Sequence, residues 1–293
     1  MSEPVIVLDG LTKFYGKNRG VEDLSFSVEQ GEIFGFIGPN GAGKSTTIRT
    51  LMGLLKPTGG HASIFGLDCS QNPAQIAKDV GYLPSENSFY NSLKVREMLQ
   101  YTADLYGMGC KIRMEVLSER LKLDLSRKVG DLSLGNKKKV GIVSALLPSP
   151  KLLILDEPTS GLDPLVQQAL YEILLEENKR GTTIFFSSHV LSEVQKLCSR
   201  VAILREGRLV DIQSMGQLRE TGYKKISLTT RTPIPKDFFS IPGMANGKQE
   251  ANSAAFMYSG NTMTIMNKLC QLPLEDIRIE EPSLEEIFLH YYQ

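Results

Sequence analysis

Residues 38–46 read GPNGAGKST and fit the spacing G-x-x-x-x-G-K-[ST]. Lacking a Cβ, Gly38, Gly41 and Gly43 let the main chain turn tightly and approach an anion. The N–H groups of such a loop, those of Asn40, Ala42 and Thr46 included, converge on phosphate oxygens at the positive end of a helix. Lys44 is placed to reach β- and γ-phosphates, and the Ser45 hydroxyl to ligate magnesium. The flanks suit the motif. Ile33, Phe34, Phe36 and Ile37 read as a strand before it, and IRTLMGLL as a helix after it. The implied ligand is a nucleoside triphosphate with Mg2+.

Four further groups carry possible chemistry, each with a bland alternative. LLILDEP (152–158) is an apolar strand ending in two carboxylates. Asp156 is placed to hold magnesium and Glu157 to polarise an attacking water; the alternative is an acidic turn after a strand. In DLSLGNKKKV (131–140), Ser133 and Gly135 stand just before a helix. They make either a plain N-cap or an anion site at a helix N-terminus. The lysine run 137–139 reads as a solvated face. His189 ends the strand TTIFFSS, either as a structural histidine or as a partner of Asp156 and Glu157 on a neighbouring strand end. Tyr15, in LTKFYG, packs on a strand or stacks on a base.

The elements that must position these groups read as α/β. Residues 5–37 are β-rich, and the helix after the loop runs to a stop at Lys56-Pro57-Thr58-Gly59-Gly60. VGYL (80–83) is a further strand. Residues 86–150 read as a mostly helical insert, its first helix carrying a stripe of Met98, Leu99, Thr102, Leu105 and Tyr106. LLIL and TTIFFSS are continuous apolar or β-branched runs, as in parallel strands buried on both faces. Between them, Asp163 and Pro164 open a helix and Gly181 closes it. A helix at 190–198 and the pair VAILREGRLV complete a domain spanning 1–217. A second module, 222–293, reads as strands KISLTT, AFMYS and EDIRIE with a helix TMTIMNKLC. It ends in a helix with a Ser283–Glu286 capping box and an apolar stripe of Leu284, Ile287, Phe288 and Tyr291.

Composition excludes several classes. Among 293 residues, 33 Lys and Arg balance 33 Asp and Glu, so no basic field favours nucleic acid. No run approaches the roughly 20 apolar residues of a membrane span. The first residues lack a signal peptide's basic and apolar regions, so a cytosolic chain is expected. Cys69, Cys110, Cys198 and Cys270 are scattered and read as reduced, mostly buried thiols.

The ordered set KFYG, GPNGAGKST, LSLGN, LLILDEPTSGLD and SSH closely resembles the nucleotide-binding domain of ATP-binding-cassette (ABC) transporters, over roughly residues 5–215. The resemblance implies a P-loop core with a parallel sheet, an N-terminal antiparallel β-subdomain and a helical subdomain, plus a small C-terminal α+β module. It makes Tyr15 the adenine-stacking aromatic and 38–46 the Walker A loop that binds ATP. Ser133 and Gly135 belong to the signature motif, Asp156 and Glu157 to Walker B with Glu157 the catalytic base, and 160–163 to the D-loop. His189 becomes the switch histidine that senses the γ-phosphate. Two departures stand out. The usual signature LSGGQ has Leu134 and Asn136 in place of a glycine and the glutamine. The glutamine that follows GY-x-P in the family is Ser85 here, followed by Glu86, leaving Ser85 or Glu86 to take its contact with Mg2+.

The resemblance further implies that two such domains sandwich two ATP molecules head to tail, Ser133 of one completing the site built on Lys44 of the other. The partner is a separate transmembrane permease, docked near residues 85–100 with Phe89 and Tyr90, and the chain sits at the cytoplasmic face of the cell membrane. The ending EPSLEEIFLHYY is similar to that of bacterial drug-, bacitracin- and sodium-efflux ATPases, which points to an exporter and gives the C-terminal module a dimerisation or regulatory role. The alternative is a soluble ABC-type mechanoATPase acting on ribosomes or DNA. A single P-loop, the absence of sustained heptads between Lys44 and Ser133, and zero net charge weigh against it.

Overall fold

The structure, a computed structural model, describes residues 3–107, 109–216, 224–239 and 241–280. The C-terminal helix expected around Ser283–Glu286 lies outside the described residues. The chain divides into two compact units, Met1–Ile212 and Gln213–Gln293.

The first unit is built on two sheets. An antiparallel sheet has the order β2-β1-β4-β5, with β1 Ile6–Tyr15, β2 Asn18–Val28, β4 Gly59–Ile64 and β5 Leu67–Asp68. A six-stranded sheet has the order β10-β9-β3-β8-β7-β6. Its strands are β3 Ile33–Ile37, β6 Val80–Leu83, β7 Leu152–Asp156, β8 Thr183–Ser188, β9 Arg200–Arg205 and β10 Arg208–Ser214. From β9 to β6 every pairing is parallel. Strands β3, β7 and β8 are buried at every position, which is why their sequences run apolar without alternation. Phe26 of β2 stacks on Phe34 of β3, with ring centroids 5.5 Å apart, and lies within 6.4 Å of the Phe185 ring of β8. This aromatic cluster joins the two sheets.

Helices connect and cover the strands. Helix α1 (Lys44–Leu51) follows β3, α2 is the single turn Pro73–Ile76, and α6 (Pro164–Lys179) links β7 to β8. The Asp163 carboxylate accepts from Val166 N at 3.1 Å and Gly181 takes φ +100, the two ends foreseen from sequence. Helix α7 (Leu191–Leu197) follows β8. The insert holds α3 (Val95–Leu105), α4 (Lys111–Arg120) and α5 (Leu134–Leu146), with α5 packed on both other helices and on β6.

Three expectations need correction. Helix α1 ends at Leu51, before the Pro-Gly stop, because Gly53 turns the chain at φ +67. The stripe on α3 is shifted: Val95, Met98, Leu99 and Ala103 are buried, whereas Leu105 is 68% exposed. The lysine run is not a solvated face, since Lys138 and Lys139 on α5 are buried.

In the second unit the sheet order is β12-β13-β11-β14, all antiparallel, with β11 Lys224–Thr230, β12 Met244–Gln249, β13 Ser253–Tyr258 and β14 Leu274–Glu280. Helix α8 (Thr262–Leu269) is capped by the Asn261 carboxamide oxygen, which accepts from Met263 N at 2.8 Å. Its Ile265 and Leu269 join Ile226, Leu228 and Phe256 in a separate core. Strand β12 was not foreseen.

Candidate nucleotide site

The parallel register brings three chain segments to one sheet edge. Ile37 of β3 pairs with Ser188 of β8, and Asp156 of β7 with Ser187 of β8. The loop 38–43, Glu157 and His189 each begin where one of these strands stops, the position where open α/β sheets place their ligands. There the loop enters α1 through Gly43, at φ +103. A Cβ on Gly43 would lie 2.5 Å from Val21 Cγ1 and 2.8 Å from the Gly20 carbonyl, so this close approach requires glycine. The N-cap therefore brings no side chain to the first turn of α1, and that turn carries no acidic residue. Its N–H groups are left to an external anion.

One line of charge crosses the site. Lys44 Nζ donates to the carbonyls of Gly38 (2.7 Å) and Pro39 (3.2 Å) and lies 3.3 Å from Glu157 Oε1. The other oxygen, Glu157 Oε2, is 3.2 Å from His189 Nδ1. Lys44 is buried, Glu157 is 22% exposed and His189 is 45% exposed, so the line runs from the interior to the surface. Glu157 is held at φ +49, and its N–H donates to the Ser187 carbonyl and to Ser187 Oγ. That hydroxyl in turn donates to Asp156 Oδ1 at 2.7 Å. Ser187 thus fixes both carboxylate residues, one by its side chain and one by its backbone. Burial pushes the nearby Tyr82 hydroxyl up to about 12, with the Asp156 charge adding to the effect.

A pocket of about 270 Å³ opens on this line, bounded by Tyr15, Arg19, Gly20, Asn40, Gly41, Gly43, Lys44, Ser45, Thr46 and Glu157. Tyr15, 45% exposed, ends β1 with its hydroxyl 3.5 Å from Thr46 Oγ1 and Lys13 Nζ 5.5 Å from its ring centroid. Its ring lies close against Gly20, where a Cβ would come within 2.9 Å of it. A flat aromatic face beside a loop of amides and a lysine fits an adenine joined to a polyphosphate. A larger cleft of about 630 Å³ lies elsewhere, but its cations are already engaged. Arg113 and Arg180 share the buried Glu177, and Lys151 pairs with Asp79.

The family model described as ABC transporter matches residues 21–160. The bacitracin transport ATP-binding protein BcrA of Bacillus licheniformis is 41% identical over 223 residues, covering 75% of this chain and 73% of BcrA. The chain belongs to the ABC transporter ATP-binding proteins. The uncharacterized ABC transporter ATP-binding protein YhcH of Bacillus subtilis is 38% identical over 292 residues, 97% of this chain and 95% of YhcH. A solved ATP-binding subunit of an ABC transporter superposes with a TM-score of 0.69 at 34% identity, covering 74% of this chain and 92% of that one. The chain is therefore an ABC cassette, an ATPase that binds ATP, with additional C-terminal strands.

Within this ABC cassette the expected residues fall into three groups. Tyr15, Asn40, Gly41, Gly43, Lys44, Ser45, Thr46 and Glu157 share the pocket, and His189 reaches it through Glu157. Gly38 and Ala42 are buried behind the loop, and Asp156 is buried without lining the pocket. Ser133 and Gly135 do not line it either. Ser133 is exposed, its hydroxyl accepting from Asn136 N at 3.4 Å as the N-cap of α5, and Leu134 beside it is 81% exposed. Ser85 is half-buried and Glu86 exposed. Sequence reasoning missed Arg19, Gly20, Ser187 and Lys138. Only Ser187 carried a usable signal, as a polar residue near the end of an otherwise apolar strand that pairs in register with Asp156.

Proposed function

We propose that this cassette is the ATP-hydrolysing subunit of an exporter whose membrane-spanning permease is a separate chain, and that two cassettes close head to tail on two ATP molecules. The observation that carries the reading is the separation of the site into halves. The pocket holds Lys44 and Glu157, while the signature pair lies outside it, Ser133 exposed and Gly135 half-buried. A second copy supplies what one chain keeps apart. The similarity to a bacitracin transport protein supports the exporter assignment. Among the described residues no helix is long and apolar enough to cross a membrane, which fits a permease on another chain and a place at the cytoplasmic face of the membrane.

In this mechanism Tyr15 stacks on the adenine and the loop amides of residues 40–46 hold the phosphates. Lys44 exchanges its loop carbonyls and Glu157 for phosphate oxygens. Ser45 and Asp156 offer the hard oxygen ligands that Mg2+ requires, with Ser85 or Glu86 as a further ligand; the ion supplies charge neutralisation of the phosphates. Glu157, released from Lys44, accepts a proton from the attacking water, and His189 orients Glu157 and senses the γ-phosphate. The partner's signature residues close over the same phosphates. Positioning and electrostatic stabilisation carry most of the rate enhancement.

Residues 1–217 form the cassette and 222–293 an accessory module for dimerisation or regulation. Unchanged dimerisation and ATPase activity after deletion of the module would remove that role. The permease docks on the segment around Phe89 and Tyr90, the latter 61% exposed and edge-on to Tyr101. The test is purification of the tagged chain from its own cells in mild detergent. A stoichiometric membrane-spanning chain, lost on Tyr90→Asp, is the expected result. Co-purifying ribosomes with no membrane chain would replace the exporter reading with the mechanoATPase one.

A further inference from the structure

The signature helix α5 presents one face, at i, i+3 and i+6, to the loops around the nucleotide site. A Cβ on Gly135 would sit 2.4 Å from the Gly161 carbonyl, in the segment that follows Glu157. A Cβ on Gly141 would sit 2.7 Å from both Leu83 Cδ1 and Asn87 Oδ1. Helix and loops are therefore in contact: the Gly161 backbone leaves no room for a methyl group at Gly135, and one at Gly141 would displace the Leu83 and Asn87 side chains. Between the two glycines stands Lys138, 5% exposed. Its Nζ donates to the carbonyls of Pro84 (3.3 Å), Ser85 (3.0 Å) and Asp156 (3.4 Å). An ammonium has three N–H donors, and here three carbonyls from two distant segments take all of them.

We infer that Lys138 is a positioning residue for hydrolysis: its ammonium ties the segment 84–85 and the signature helix to the strand end that carries Asp156 and Glu157. The inference rests on the assignment of Asp156 and Glu157 as the hydrolytic carboxylates. Neither Ser85 nor Glu86 needs a side-chain contact to that strand end, because the link runs through backbone carbonyls and one buried cation. This offers a physical answer to the missing glutamine after GY-x-P. A buried ammonium is otherwise a poor structural choice. Burial disfavours its charged form, and the charges of Asp156 and Glu157 oppose that effect. A strut made of hydrogen bonds to carbonyls holds geometry to within the length of those bonds, and a misplacement of about 1 Å at a reacting group costs up to 100-fold in rate.

The test uses the full chain with Lys138→Met, which keeps an unbranched apolar stem out to Cε but has no donor, and Lys138→Gln, which restores two N–H donors without charge. Thermal melting, kcat and KM for ATP are measured at saturating Mg2+. The expected result is a cooperative melt for both variants, with kcat lowered at least tenfold in Lys138→Met, equivalent to about 1.4 kcal/mol in the barrier. KM stays within about twofold, and Lys138→Gln recovers most of the loss. Wild-type kcat in Lys138→Met, or a loss confined to KM, overturns the inference. So does a Lys138→Gln variant that folds and is as slow as Lys138→Met. If Lys138→Met does not fold, Lys138→Gln decides alone, with kcat within about threefold of wild type expected and a tenfold loss overturning it. Glu157→Gln, run beside them, separates the two readings. If that variant turns over normally, the carboxylate assignment fails, whatever Lys138 does.

Discussion

Replacing Glu157 by Gln separates binding from turnover, and the structure gives the sign of both effects. The carboxylate lies 3.3 Å from Lys44 Nζ, and 3.2 Å from His189 Nδ1 on its other oxygen. Two unit charges at 3.3 Å attract by about 5 kcal/mol at an effective dielectric of about 20. Glu157 is 22% exposed, so water screens part of this, and Lys44 also keeps the Gly38 and Pro39 carbonyls. A net competition on the order of 1 kcal/mol remains. Removing the charge frees Lys44 for phosphate and takes a negative group away from the triphosphate. ATP binding by Glu157→Gln is therefore expected to tighten roughly fivefold, since about 1.4 kcal/mol corresponds to tenfold. The amide cannot accept the proton of the attacking water, so kcat falls by roughly 100- to 10,000-fold. Titration calorimetry with ATP gives the first quantity and phosphate release the second. Turnover within tenfold of wild type, or ATP binding weakened by tenfold, would refute the assignment of Glu157 as both base and competitor for Lys44.

Other perturbations test other parts of the site. Gly43→Ala forces a Cβ within 2.5 Å of Val21 Cγ1 at φ +103, whereas Gly41, at φ +82, has nothing within 4 Å of such a Cβ. Gly43→Ala is expected to abolish ATP binding and lower Tm by several degrees through about 1–3 kcal/mol of strain; equal effects of Gly41→Ala would count against the steric account. Tyr15→Ala is expected to weaken ATP binding by about 1–3 kcal/mol, and Tyr15→Phe to restore most of it, which calorimetry checks. Burial pushes the Cys69 thiol up to about 12, with the Asp68 charge adding, and it raises the thiols of Cys110 and Cys198 as well. The thiolate is the nucleophile, so a raised value slows alkylation. Iodoacetamide at pH 8 is expected to label the exposed Cys270 alone in the native chain, with peptide mapping as the readout.

Much of this architecture was legible in the sequence because its signals are local. A nucleotide loop between strand and helix, apolar runs for buried parallel strands, and Asp163 with Pro164 as a helix start each depend on a few neighbouring residues. What was missed depends on distant partners. Lys138 reads as one of three surface lysines, and only the carbonyls of residues 84–85 and 156, far away in the chain, account for its burial. Leu105 fits a helical stripe, yet the helix meets its neighbours on the side of Val95, Met98, Leu99 and Ala103. Strand β12 reads MANGKQ, with no apolar alternation, and its pairing with β13 is what makes it a strand. The placement of Ser133 outside the Lys44 pocket was foreseen only through the family resemblance, because the motif residues alone do not say which of them meet in one chain.

The most direct test of the two-cassette site is the mass of the Glu157→Gln chain in solution, by sedimentation, with and without ATP and Mg2+. One chain weighs 32.5 kDa. With ATP the mass is expected to double, and Ser133→Arg, at a site exposed in the single chain, is expected to return it to the monomer without loss of ATP binding. A chain that binds ATP through the pocket at Lys44 and stays monomeric, or a dimer indifferent to Ser133→Arg, would contradict a site completed in trans.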